Sequence, residues 1–213
     1  MRSRALRRRL GVLSLLVVAA SAAALWIAVG SGGAADNLPA DKVTATGAKP
    51  DVSAPGQTVT LLGPVRMRTS TVEDLALQFT AECSILTDLT TTGNDTQDAF
   101  GQVRTWVEVD GKPVGVVPGT PGGSDDGKVV LCNRAYHRDT SGFTADNQAT
   151  IHDYIRTREA NGFNWATVNV GNGIHTIAVK GEFTETATNK GVAQAVVGNR
   201  TLIVQPTTYM QTP

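Results

Sequence analysis

From Thr58 onward the sequence is made of short β-branched runs of Val, Ile and Thr, each soon broken by Gly, Asn, Asp or Pro. β-Branched side chains suit a pleated surface, and turn formers at such short intervals leave little room for long helices. A chain of this texture folds into antiparallel strands joined by turns. Strands are predicted over 58–62, 65–70, 75–86, 102–109, 112–117, 128–133, 165–170, 174–183 and 193–205. No internal repeat is visible.

Three turn signals punctuate these runs. Asp110-Gly111 lies between Val107-Glu108-Val109 and Lys112-Pro113-Val114 and predicts a tight hairpin, because Gly supplies the positive φ that such turns need. Gly171-Asn172-Gly173 repeats the signal, and Gly198-Asn199 marks either a last hairpin or a bulge in one long final strand. One stretch has helical spacing: over 146–160, Ile151, Tyr154, Ile155 and Arg158 recur at three and four, with Asp146 or Asn147 as N-cap and Asn161-Gly162 to end it. Many strands and one short helix predict a mostly β domain, a sandwich of two antiparallel sheets.

The N-terminus has a different character. Arg2, Arg4, Arg7, Arg8 and Arg9 precede an apolar run over 10–29, and small residues follow to Ala35. This is the form of an export segment, 1–35, with the arginines held in the cytoplasm and the rest of the chain sent outward. Its length of 20 residues suits an uncleaved membrane anchor, whereas Gly33-Ala34-Ala35 and Ala22-Ala23-Ala24 offer cleavage sites, so secretion and anchoring both stay open. A membrane partner through 10–29 follows only if the segment is retained. Residues 36–57, rich in Gly, Ala, Asp, Pro and Thr, read as a flexible linker, and 58–209 as the sandwich domain. From Asp36 the chain carries 14 basic and 19 acidic residues, a net charge of −5, which argues against a nucleic-acid partner.

An extracytoplasmic location makes the two cysteines, Cys83 and Cys132, a predicted disulfide, since both lie in strand-like runs and lack Cys-x-x-Cys spacing. Catalytic and metal signatures are wanting. His137-Arg138-Asp139 has Thr144 where a kinase loop needs Asn, and the three histidines, His137, His152 and His175, form no metal-binding pair. His175 alternates with Ile177 and Val179 and reads as a packed, hydrogen-bonded core or rim histidine. Asp125 and Asp126 read as a solvated turn, and no cofactor is expected. Trp106 shares a strand face with Arg104 and Glu108, and Trp165 with Thr167 and Asn169, opposite the apolar face Ala166-Val168-Val170. If both rings face outward, they are candidate contacts for a carbohydrate or protein ligand; if the helix, the linker or a sheet edge covers them, they are not.

The stretch from Phe163-Asn164-Trp165 through Gly171-Asn172-Gly173-Ile174-His175-Thr176-Ile177-Ala178-Val179 resembles the late hairpin of immunoglobulin-like and fibronectin-like bacterial surface domains, with the His175 run as a central strand. The resemblance implies an immunoglobulin-like sandwich with a structural or binding role at the cell envelope. The expected function is therefore that of an exported, non-enzymatic module. The alternative is an extracytoplasmic hydrolase with a site around His137 and His152, beside carboxylates such as Asp139 or Asp153.

Overall fold

The computed structural model describes residues 42–47, 52–118, 125–140, 150–188 and 190–208. The apolar run 10–29 and positions 146–149 of the expected helix lie outside the described residues. Nine strands form among those described: β1 (Val43–Gly47), β2 (Thr58–Thr69), β3 (Glu73–Thr92), β4 (Thr96–Val109), β5 (Lys112–Pro113), β6 (Val129–Asp139), β7 (Thr150–Val170), β8 (Gly173–Ala187) and β9 (Gly191–Thr207). They make two antiparallel sheets, one in the order β1-β9-β3-β7 and the other β2-β8-β4, with β5 and β6 both paired to β4. The expected sandwich is the observed architecture.

Alternation explains the core. On β3, Leu75, Leu77, Phe79, Ala81, Cys83, Ile85 and Leu89 all point inward and are buried. Val103 and Val107 of β4 and Ile177, Val179 and Phe183 of β8 meet them from the other sheet. His175 continues the inward row of β8 at its rim, as its register with Ile177 and Val179 predicts. β8 lies between β2 and β4, so the His175 run is a central strand.

The helix does not form over the described part of 146–160. Residues 150–160 are the first half of β7, paired one for one with β3 from Thr92↔Thr150 to Leu75↔Thr167. Ile151 and Ile155 are four apart, an even number, so they share a face in a strand as well as in a helix. Tyr154 and Arg158 then fall on the other face, where Tyr154 is exposed. The β-branched Thr150, Ile151, Ile155 and Thr157, paired with a 20-residue β3, outweigh the helical spacing.

Part of the expected linker is also ordered into the sandwich. β1, inside 36–57, pairs with β9 and buries Val43, and Val52 exchanges two backbone hydrogen bonds of 2.9 Å with Val197. The backbone of an open sheet edge supplies what a stretch with few large side chains lacks. The runs 58–62 and 65–70 are one strand, β2, whose register shifts around Gly63 and Pro64, because Pro has no N–H to give the ladder.

Two turn signals resolve differently. Asp110 and Gly111 both have positive φ, 53° and 75°, and Val109 pairs with Lys112: a two-residue type I′ hairpin. Gly171-Asn172 instead carries the chain from β7 in one sheet to β8 in the other, so the expected late hairpin is a crossing between sheets. Gly198-Asn199 is a bulge: Ala81 pairs with Arg200 and Cys83 with Val197. The inward parity of β9 changes there, from Ala195 and Val197 to Leu202 and Val204.

Candidate functional site

Cys83 of β3 and Cys132 of β6 form the predicted disulfide, with Cα atoms 6.3 Å apart. Since the two strands belong to different sheets, the bond joins the layers through the core, where both residues are buried.

Both tryptophans are covered. Trp106 does face away from the core row Val103, Thr105 and Val107, yet it is only 6% exposed. The Lys128 ammonium lies 4.8 Å from its ring centroid, Glu182 holds that lysine at 2.6 Å, and the indole N–H donates to Glu108 at 3.1 Å. Trp165 points into the core, 2% exposed, and donates to the Gly127 carbonyl at 2.8 Å. The expected face of Trp165 is inverted by a bulge. Glu73 pairs with Val170 but Leu75 with Thr167, and Asn169 takes φ 57° with its N–H on the Asp74 carboxylate at 2.9 Å. Val170 and Trp165, five apart, are thereby both buried.

The histidines are not brought together. Arg138 and Asp153 meet at 3.4 Å between β6 and β7, so their sequence neighbours His137 and His152 project from opposite sheets. Each is exposed beside one carboxylate, His137 at 2.6 Å from Asp98 and His152 at 2.5 Å from Asp88. Among the described residues no three His, Cys, Asp or Glu side chains gather as metal ligands would. Asp125 forms the expected turn. Its carboxylate accepts the N–H groups of Val117 and Gly127 at 2.8 and 2.9 Å, and these bonds, with that of Val116, hold its pKa below the usual carboxylate range.

What the fold does build is a cleft at one end of the sandwich. One wall is the β4–β5 hairpin and the chain after it, including Asp110, Lys112 and Val117; the other is the end of β7, including Thr167, Asn169 and Gly171. The volume is about 470 Å3, within the range of small-ligand sites. His175, its side chain 12% exposed, lies between the walls. Its Nδ1 is 2.7 Å from the Asp110 carboxylate, and its Nε2 is 2.9 Å from the Gly171 carbonyl and 3.1 Å from the Thr69 hydroxyl. Asp110 also accepts the Thr176 N–H at 2.8 Å, while its own N–H donates to the Thr176 carbonyl.

These contacts set the charges. Burial works to lower the His175 pKa, but its bonds to Asp110 and Gly171 and the Asp110 charge outweigh that and raise it. Burial works to raise the Asp110 pKa, and its bonds from His175 and Thr176 with the charges of His175 and Lys112 bring it down. Asp110 and Gly171 escaped the sequence reading as partners of His175. The signal was the Asp of a type I′ turn, a short acceptor free to reach the next strand.

No family model matches the sequence, and no curated protein matches it. Similar solved structures include one of the infectious bursal disease virus Gt strain, 13% identical over 78% of this chain and 33% of that one, at a TM-score of 0.32. The Eiger TNF of S. frugiperda is 8% identical over 81% of this chain and 97% of its own, at 0.26. A CocE/NonD family hydrolase from Staphylococcus aureus is 11% identical over 80% of this chain and 34% of its own, at 0.22. The chain thus spans a third of the length of the first, and at such scores these likenesses carry no argument about function.

Proposed function

We propose that the chain is an exported, non-enzymatic β-sandwich module of the bacterial immunoglobulin-like or fibronectin-like kind, secreted or held at the membrane by 10–29, with a structural or binding role. The observation that carries this reading is the buried Cys83–Cys132 bond between the sheets, a device suited to an oxidising compartment. The arginine cluster and apolar run of the N-terminus point the same way. A protein or glycan ligand would use the end cleft, since Trp106 and Trp165 are covered. The hydrolase reading around His137 and His152 has no observation in its favour, because the two rings leave opposite faces.

Fractionation of native-host cells with intact-mass measurement tests the proposal. The chain is expected outside the cytoplasm, either shortened to a start near Asp36 or whole and sedimenting with membranes. A full-length chain in the cytoplasmic fraction would overturn it.

A further inference from the structure

We propose that His175 is a proton-dependent latch across the end cleft, tying its two walls together while both ring nitrogens carry protons and releasing the Gly171 wall when one is lost. With Asp110 ionised, the two contacts fit the doubly protonated ring. The Gly171 carbonyl can only accept, so Nε2 at 2.9 Å must donate to it. The Asp110 carboxylate, already an acceptor for the Thr176 N–H, takes the Nδ1 proton at 2.7 Å. Only the imidazolium donates from both nitrogens. One of its bonds goes to the hairpin wall, in the sheet of β4, and the other to the β7–β8 crossing, where the chain leaves the opposite sheet.

The charged surroundings of the ring are simple. Asp110 faces it from the hairpin, with Lys112 beyond that carboxylate. From β2 it meets Thr69, while Arg66 and Arg68 are exposed on the other face of that strand. The β7–β8 crossing presents no charge, and Asp74 of β3 is engaged with the Asn169 N–H. With Asp110 anionic, Nδ1 keeps its proton, and the proton that departs on raising the pH is the one on Nε2. A lone pair then faces the Gly171 carbonyl, and attraction becomes repulsion. The Thr69 hydroxyl accepts the Gly173 N–H at 3.2 Å in either state, so the chain just after the crossing stays anchored to β2 while its tie to the hairpin is cut. The cleft becomes free to widen.

The test is a pH titration of the oxidised, isotope-labelled full-length chain by NMR, following the imidazole nitrogens and the amides of Asn169, Gly171 and Gly173. Both ring N–H groups of His175 are expected at acid pH. The three amides should then shift, and lose hydrogen-exchange protection relative to β9, with the same midpoint as the ring. In His175→Gln that midpoint should vanish from the amides. A ring singly protonated throughout, or a ring that titrates while those amides stay still, would overturn the latch. If His175→Gln does not fold, Asp110→Asn serves: it should lower the ring midpoint and carry the amide midpoint down with it, and an amide midpoint that stays behind contradicts the proposal.

Discussion

At the scale of single residues, the buried Trp165 indole shows what a polar handle inside the core costs when it is cut. Trp165→Phe keeps most of the ring volume but leaves the buried Gly127 carbonyl without its 2.8 Å donor. It should destabilise by about 1–3 kcal/mol, and Trp165→Ala by about 3–5 kcal/mol, read from urea unfolding. The His175–Asp110 pair gives a pH dependence of opposite sign at its two ends. Because the His175 pKa is raised on folding, its contribution is complete below the unfolded value of about 6.5 and is lost as the pH climbs through the folded value. Because the Asp110 pKa is lowered, its contribution is present above the unfolded value of about 3.9 and disappears as the pH falls through the folded one. Stability should therefore be greatest in mildly acid solution. Asp110→Asn should flatten that profile and cost about 1 kcal/mol at its maximum, since the carboxylate is half exposed and partly screened. A denaturant series across pH on both proteins checks it.

At the scale of elements, glycines with the same backbone sign carry different loads. Gly111, φ 75°, has open space where a Cβ would go, so Gly111→Ala should cost only the left-handed conformation, about 1 kcal/mol. Gly127, φ 70°, would place a Cβ 1.9 Å from the Val114 carbonyl, so Gly127→Ala should cost more than about 2 kcal/mol and disturb the Trp165 contact; equal thermal shifts for the two variants would contradict this. Strand texture was legible along most of the chain because period-two alternation survives in Leu75 to Leu89 and in Ile177 to Phe183. It failed where spacing is ambiguous or interrupted. Ile151 and Ile155 satisfy both periods, and the bulges at Asn169 and Gly198-Asn199 change parity with no warning beyond a turn-forming residue. The Asp110-Gly111 hairpin was legible because its chemistry is local; the Gly171-Asn172-Gly173 crossing was not, because the same residues serve a hairpin or an arch.

On the scale of the whole molecule, the chain passes from one sheet to the other at six of the eight connections between the described strands, and only the β4–β5 hairpin and the step from β5 to β6 stay within one sheet. Pairing partners are accordingly distant in sequence, as in β3 with β9, and no strand pattern could announce which would meet. The ligand-side reading suffered for the same reason: the composition of the end cleft depends on which loops the topology gathers, whereas the cysteine pairing needed only that there be two. With its ends 49 positions apart in sequence, the Cys83–Cys132 bond should stabilise the sandwich by about 4 kcal/mol in the chain-entropy description. Replacing both cysteines by alanine should lower the melting temperature by on the order of 10 °C. The most direct test of a stapled, exported sandwich is thiol alkylation with mass measurement on the protein taken from its native host, before and after reduction under denaturing conditions. The account predicts no alkylated cysteine before reduction and two after it, whereas two free thiols in the unreduced protein would contradict it.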